Sequence, residues 1–159
     1  MLRRWIIALL CLSFIGGSLA RAGGATGRVR ELSGTVIAYD DAQAWTSCVG
    51  GECTGSLIVR VSKPEADRAP YIRVDFRFPI DAPPKELVAK KQLWQLRLIR
   101  TRKLDAPLRE FIRYKNVYGE ERRYPMWKLI PGAEDEELPF GETLPAYSLV
   151  GRVAGITLR

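Results

Sequence analysis

The clearest pattern in the chain is a strict alternation of apolar and polar side chains near its middle. Every second residue between positions 71 and 78 is apolar, and this set is Ile72, Val74, Phe76 and Phe78. A repeat of two residues is typical of a strand with one buried face. Weaker forms of the same pattern predict strands over residues 32–39, 56–62, 93–101 and 147–158.

Prolines and one short helical segment separate these strands. Residues 84–91 predict two turns of helix, with proline tolerated in the first turn. The predicted order is three strands, this helix, a strand, an irregular charged insert at about 104–146, and a last strand. That order resembles the outline of the OB-fold, a small five-stranded barrel, over roughly residues 29–103 and the last strand. We therefore expect a mainly β domain, either an OB-like barrel or a β-sandwich, of five to six strands with one short helix.

Two cysteines flank a pair of glycines in the segment Cys48-Val-Gly-Gly-Glu-Cys53. Gly50-Gly51 suits the centre of a two-residue hairpin turn, because both positions need a positive φ. In that register Cys48 and Cys53 form a non-hydrogen-bonded pair, where side chains lie closest and a disulfide can form. Two thiolates without histidine leave a tetrahedral zinc site two ligands short. We predict a structural disulfide, with a redox-active pair or free thiols as alternatives.

The first 22 residues carry the pattern of an export signal. A basic start precedes the apolar run 5–15, and Ala20-Arg21-Ala22 supplies small residues where a signal peptidase reads them. We predict cleavage after Ala22, which leaves residues 23–159 as a single exported domain, periplasmic or secreted. The alternative is an uncleaved anchor, although the apolar run is short for the roughly 20 residues that span a bilayer. A disulfide agrees with an oxidising compartment.

Charge changes the picture of what the exported domain could bind. The whole chain has 25 Lys and Arg against 18 Asp and Glu, and without residues 1–22 the balance is 22 against 18, a net charge of +4. So mild an excess is not typical of a dedicated DNA-binding protein. Export also separates the domain from cytosolic nucleic acid.

Nine basic residues lie between positions 100 and 128, interleaved with aromatic side chains. Cations attract a polyanion over long distances, and aromatic faces can stack on bases or sugars. The ligand-binding candidates of this segment are Arg113, Tyr118, Arg122, Arg123 and Trp127. Their ligand would be an anionic polysaccharide, a lipid headgroup or a nucleic acid. The plainer interpretation is a solvated charged face with aromatic side chains that cover core.

An acidic stretch follows directly, because residues 131–145 contain five acids and no basic residue. It could fold back over the basic segment and neutralise it. Alternatively, it could exclude anions until a partner displaces it.

The polar face of the strand at 71–78 is a second candidate surface. Arg73 and Arg77 share that face, and Arg97 and Arg60 can join them from neighbouring strands. In OB-like barrels the second and third strands provide the usual binding face, and arginine offers a planar fork for carboxylate or phosphate. The alternative is a row of surface ion pairs involving Asp75, worth little energetically.

Patterns that indicate catalysis are few. The chain has no histidine, which excludes serine–histidine triads and most catalytic zinc sites. It also lacks a Gly-x-Ser-x-Gly motif, a phosphate-binding loop and a dinucleotide fingerprint. We expect no enzymatic activity, no cofactor and no metal. The leading hypothesis is a non-catalytic binding or accessory module of the cell envelope, whose partner is an anionic ligand or another envelope protein. The alternatives are anion recognition by residues 100–128 and a structural subunit that pairs through a sheet edge.

Overall fold

The computed structural model describes residues 27–40, 48–64, 70–81, 85–101, 105, 107–150 and 157–158. These ranges contain ten strands and one helix: β1 Arg30–Asp40, β2 Cys48–Val49, β3 Glu52–Val61, β4 Tyr71–Pro79, α1 Lys85–Ala89, β5 Leu93–Arg100, β6 Phe111–Lys115, β7 Glu121–Pro125, β8 Trp127–Leu129, β9 Ala146–Leu149 and β10 Thr157–Leu158. The predicted signal segment, residues 1–22, lies outside the described residues. Within the described ranges, no helix has the length and hydropathy that crossing a membrane requires.

Five of the strands close into a barrel. Around it the order is β1, β3, β4, β9, β5 and back to β1. Neighbouring strands are antiparallel, except that β4 and β9 run parallel. The helix α1 lies between the third and fourth barrel strands along the chain. The predicted OB-like barrel is therefore confirmed, and the alternative sandwich is set aside.

Closure of the barrel depends on a close approach at Gly34 in β1. Gly34 is paired with Val61 of β3 and, on its other edge, with Trp94 of β5. A Cβ at this position would lie 2.5 Å from Val59 Cγ1 and 2.9 Å from the carbonyl oxygen of Arg60. Glycine therefore allows β1 to contact both neighbours where the sheet closes on itself.

The barrel interior contains the main hydrophobic core. The apolar face predicted for residues 71–78 points inward, and all four of its side chains are buried there. The helix is shorter than the predicted segment 84–91, and it contributes Leu87 to the same core. The alternation in sequence thus corresponds directly to burial in the barrel.

The end of the chain differs from the prediction of one strand over residues 147–158. The structure has two short strands there, β9 and β10, and the residues 151–156 between them lie outside the described ones. Both strands pair with the same edge of β5, since β1 occupies the other edge, but their registers differ. Only β9 continues onto β4 and closes the barrel.

The insert at 104–146 is more regular than the sequence indicates. It contains β6, β7 and β8, and β8 pairs with the end of β1 at Ala38–Asp40. Side chains of the insert form a second core on the outside of the barrel: Leu108, Trp127, Ala133 and Leu144 pack there with Ile37 and Ile58. Ile58 points outward because its neighbours Leu57 and Val59 face the barrel interior. The insert therefore covers part of the outer face of β1 and β3.

The cysteine hairpin forms as predicted. Cys48 pairs with Cys53 and Val49 with Glu52, and a disulfide joins the two cysteines. Gly50 and Gly51 have φ values of 62° and 84°, which are the positive values that a two-residue turn needs. The Cα atoms of the cysteines are 4.0 Å apart, as expected for a close, non-hydrogen-bonded pair.

Candidate anion-binding ribbon

The predicted arginine face of the barrel does not form one continuous surface. Arg73 on β4 donates from Nε to Asp75 Oδ1 (2.9 Å), and Ser56 Oγ donates to the same oxygen (2.7 Å). Arg73 also donates from Nη2 to Ser56 Oγ (3.1 Å), so its guanidinium is hydrogen-bonded to side chains of β3 and β4. Arg77 is exposed further along β4, next to Thr54 of β3.

Arg97 and Arg60 are directed to other partners. Arg97 lies on β5, which β9 separates from β4, and its Nε is 3.8 Å from Glu31 Oε1 on β1. Arg60 Nη1 lies 2.8 Å from Glu136 Oε1 in the insert. These two arginines therefore belong to local ion pairs with acids that the sequence interpretation did not name as their partners.

The acidic stretch contacts the barrel side of the molecule. The Glu136 side chain is 8% exposed, and its Oε1 is 2.8 Å from both Arg60 Nη1 and Lys91 Nζ. Glu134 Oε1 accepts a hydrogen bond from the backbone N–H of Gly132 (3.0 Å), and this bond lowers the pKa of the Glu134 carboxyl below its ordinary value. Glu134 thus stabilises its own loop, and Glu136 joins this loop to Arg60 of β3 and to Lys91.

The basic segment instead contains a two-stranded ribbon, which we define as β6, β7 and the turn between them. It forms a sheet of its own, and all its residues are exposed except Ile112 and Asn116, which are half-buried. With about 3.3 Å of rise per residue, its tip stands about 20 Å from its base. Because nearly all of its residues are exposed, the ribbon has no face packed fully against the rest of the protein.

The register of the ribbon sorts its side chains onto two chemically different faces. Phe111 opposes Pro125, Arg113 opposes Arg123, and Lys115 opposes Glu121 on one side. We call Arg113, Lys115 and Arg123 the cationic face. On the other side Ile112 opposes Tyr124 and Tyr114 opposes Arg122. We call Ile112, Tyr114 and Tyr124 the aromatic face, and its two tyrosine rings are 6.5 Å apart between centroids.

Arg113 and Arg123 occupy the closest kind of cross-strand position. Backbone hydrogen bonds join Asn116 to Glu120 and Met126 to Glu110, so the pairs alternate between hydrogen-bonded and non-hydrogen-bonded along the ribbon. Counted from either end, the arginines form a non-hydrogen-bonded pair, in which the side chains lie closest. Like charges directly opposite each other destabilise a sheet. Glu121 Oε1 lies 3.4 Å from Arg113 Nη1 and offsets part of this repulsion.

The predicted aromatic candidates separate into one exposed and one buried residue. Tyr118 is 86% exposed at the tip of the ribbon, whereas Trp127 is only 8% exposed and belongs to the second core. Trp127 therefore packs the insert against the barrel, and its ring is not available to stack on a ligand. Arg122 is exposed on the side of the tyrosines and is paired with Glu120 (2.9 Å).

Tyr114 and Tyr124 are among the aromatic side chains interleaved with the basic residues, but the sequence interpretation named neither Val117 nor the turn that joins the strands. That turn is held by Asn116, whose Oδ1 accepts hydrogen bonds from the backbone N–H groups of Tyr118 (3.0 Å) and Glu120 (2.9 Å). Gly119 has a φ of 81°. An asparagine followed three residues later by glycine, between two short extended segments, was the pattern that could have predicted a hairpin.

Comparison of the chain with protein-family models, with curated proteins and with solved structures finds no match. Within the described ranges, no group of three or more Cys, Asp or Glu side chains is placed to hold a metal ion.

Proposed function

We propose that the protein is an exported, non-catalytic binding module of the cell envelope, which recognises an anionic ligand through the cationic face of the ribbon. The observation that carries this proposal is the cross-strand pair of Arg113 and Arg123. Two guanidinium groups at the closest position of an exposed hairpin cost stability that Glu121 offsets only in part, and a bound carboxylate or phosphate would offset the rest.

Export is supported by two independent features of the chain. The first 22 residues have the composition of a signal segment, and Cys48 and Cys53 are disulfide-bonded. Disulfides persist in oxidising compartments such as the periplasm. Anions of that compartment include lipid headgroups, acidic polysaccharides and the carboxylates of peptidoglycan.

A subunit that pairs through a sheet edge has less support. Each of the five barrel strands has a paired strand on both sides, because the sheet closes on itself. The ribbon has free edges, but Pro125 and the charged side chains of Arg113 and Lys115 lie along them. Proline and charge on an edge discourage strand addition.

Arg122 and Arg123, adjacent residues on opposite faces of the ribbon, provide a test of anion binding by the cationic face. Heparin serves as a soluble polyanion, and the salt concentration that elutes the protein from it measures binding. We expect Arg123→Ala to elute at clearly lower salt than wild type, because Arg123 belongs to the cationic face. Arg122→Ala removes the same charge one residue away, on the side of the tyrosines, and should have the smaller effect.

A double variant separates local recognition from net charge. Arg113→Ala/Arg123→Ala and the control Arg77→Ala/Arg97→Ala lose the same two charges, and only the first should weaken binding strongly. Equal losses from the two double variants, or from Arg122→Ala and Arg123→Ala, would show that binding follows total charge and would contradict the proposal.

A further inference from the structure

The tip of the ribbon displays two large apolar side chains on a turn whose backbone is hydrogen-bonded. Val117 is 93% exposed and Tyr118 is 86% exposed, more than any other large hydrophobic side chain among the described residues. The hydrogen bonds to Asn116 Oδ1 hold their backbone, and Gly119 N–H donates to the Asn116 carbonyl (2.9 Å). These side chains contribute to neither hydrophobic core.

The acids closest to the tip are neutralised within the ribbon. Glu120 Oε2 lies 2.9 Å from Arg122 Nη2 and accepts a hydrogen bond from Asn116 Nδ2 (2.9 Å). Glu121 is paired with Arg113. The tip therefore presents apolar surface, and the positive charge of Lys115 and Arg123 follows directly behind it.

The spacing of these groups matches the layers of a bilayer surface. Lys115 lies next to the turn, and Arg113 and Arg123 lie about 7 Å further back, two residues along each strand. The headgroup layer on each side of a bilayer is about 5–8 Å thick. Tyrosine is enriched where hydrocarbon meets headgroups, and basic side chains are attracted to anionic lipid.

We infer that the ribbon docks on the surface of an anionic phospholipid bilayer, with Val117 and Tyr118 in the interface and the cationic face against lipid phosphates. This inference rests on the proposed function and narrows its ligand. A polysaccharide chain would lie along one face of the ribbon and would leave the tip unused. A bilayer uses both the apolar tip and the cations behind it.

Vesicle binding tests the inference, with protein recovered after export so that all variants share one N-terminus. Wild type should bind vesicles of phosphatidylcholine that contain phosphatidylglycerol, and should not bind vesicles of phosphatidylcholine alone. Val117→Ser/Tyr118→Ser should weaken vesicle binding by at least about tenfold, since these side chains leave water on docking. Arg113→Ala and Arg123→Ala should each cost about fivefold.

Two controls separate the tip from general effects. Val49→Ser/Ile80→Ser removes two other exposed apolar side chains, both at the cysteine hairpin, and it should bind vesicles as wild type does. Val117→Ser/Tyr118→Ser should keep the wild-type melting temperature and the wild-type salt of elution from heparin.

The outcomes distinguish this inference from the proposed function. If wild type ignores the anionic vesicles but keeps heparin binding that depends on Arg113 and Arg123, the ligand is another polyanion and the lipid inference is overturned. If the tip variant binds vesicles as tightly as wild type, insertion of the tip is overturned. If heparin binding does not depend on these arginines, the proposed function fails as well.

Discussion

The base of the insert and the ribbon that rises from it come from one stretch of chain, yet their side chains are distributed in opposite ways. At the base, Leu108, Trp127 and Leu144 are buried against the outside of the barrel. In the ribbon nearly every side chain is exposed, and two arginines oppose each other. The base buries its apolar side chains, whereas the ribbon leaves charge and apolar surface exposed to solvent.

This difference bears on which surface of the protein is open to a ligand. In OB-like barrels the second and third strands usually provide the binding face. Here the insert covers Ile58 on the second barrel strand, and Arg73 on the third is engaged with Asp75 and Ser56. The ribbon is the more exposed of the two surfaces, and three measurements test this contrast.

The largest expected effect concerns the base. Ile58→Ala should lower the free energy of unfolding by about 2–4 kcal/mol, although Ile58 lies outside the barrel, because it is fully buried under the insert. Val49→Ala, in the cysteine hairpin and 85% exposed, should change it by less than about 0.5 kcal/mol. Urea denaturation measures both variants, and equal small effects would mean that the insert does not pack on the barrel.

An intermediate effect comes from comparing the two hairpins of the molecule. Cys48–Cys53 and Arg113–Arg123 occupy the same kind of close cross-strand position, one joined covalently and the other repulsive. Reduction of the disulfide should cost about 2 kcal/mol in urea denaturation, because the loop it closes is short. In protein recovered after export, neither cysteine should react with an alkylating agent before reduction, as a mass measurement would show. Alkylation of both thiols without reduction would contradict the disulfide.

The smallest expected effect concerns the ribbon, and there stability and binding should change in opposite directions. Arg123→Thr removes the like-charge contact and adds a residue that favours strands, so the ribbon should gain about 0.2–1 kcal/mol. Slower amide hydrogen exchange at Tyr114 and Arg122 would report that gain, while elution from heparin should occur at lower salt. A ribbon that loses protection along with binding would argue that Arg123 is structural.

The sequence predicted those parts of the fold in which burial alternates along the chain. The strand at 71–78 and the glycine turn between the cysteines have local signals, and both form as predicted. The ribbon has no apolar alternation, because both of its faces are exposed, and the charged segment therefore looked irregular. Trp127 looked like a ligand contact because its burial depends on Ile37 and Ile58, which are distant in sequence.

Contacts between distant segments explain the other differences. β9 and β10 pair with β5 in different registers, which residues 147–158 do not encode locally. The acidic stretch looked like a cover for the basic segment that precedes it. Its buried member, Glu136, instead meets Arg60 and Lys91, whose proximity only the barrel creates.

The hydrogen bond from Met126 N–H to the Glu110 carbonyl has a consequence for how the protein can evolve. It brings the two ends of the ribbon together at its root, so residues 111–125 enter and leave the insert at one point. Doubling the length of such a loop costs only about 0.6 kcal/mol of closure entropy. Selection can therefore lengthen, shorten or rewrite the ribbon for a new ligand while the barrel and the second core keep their own sequences.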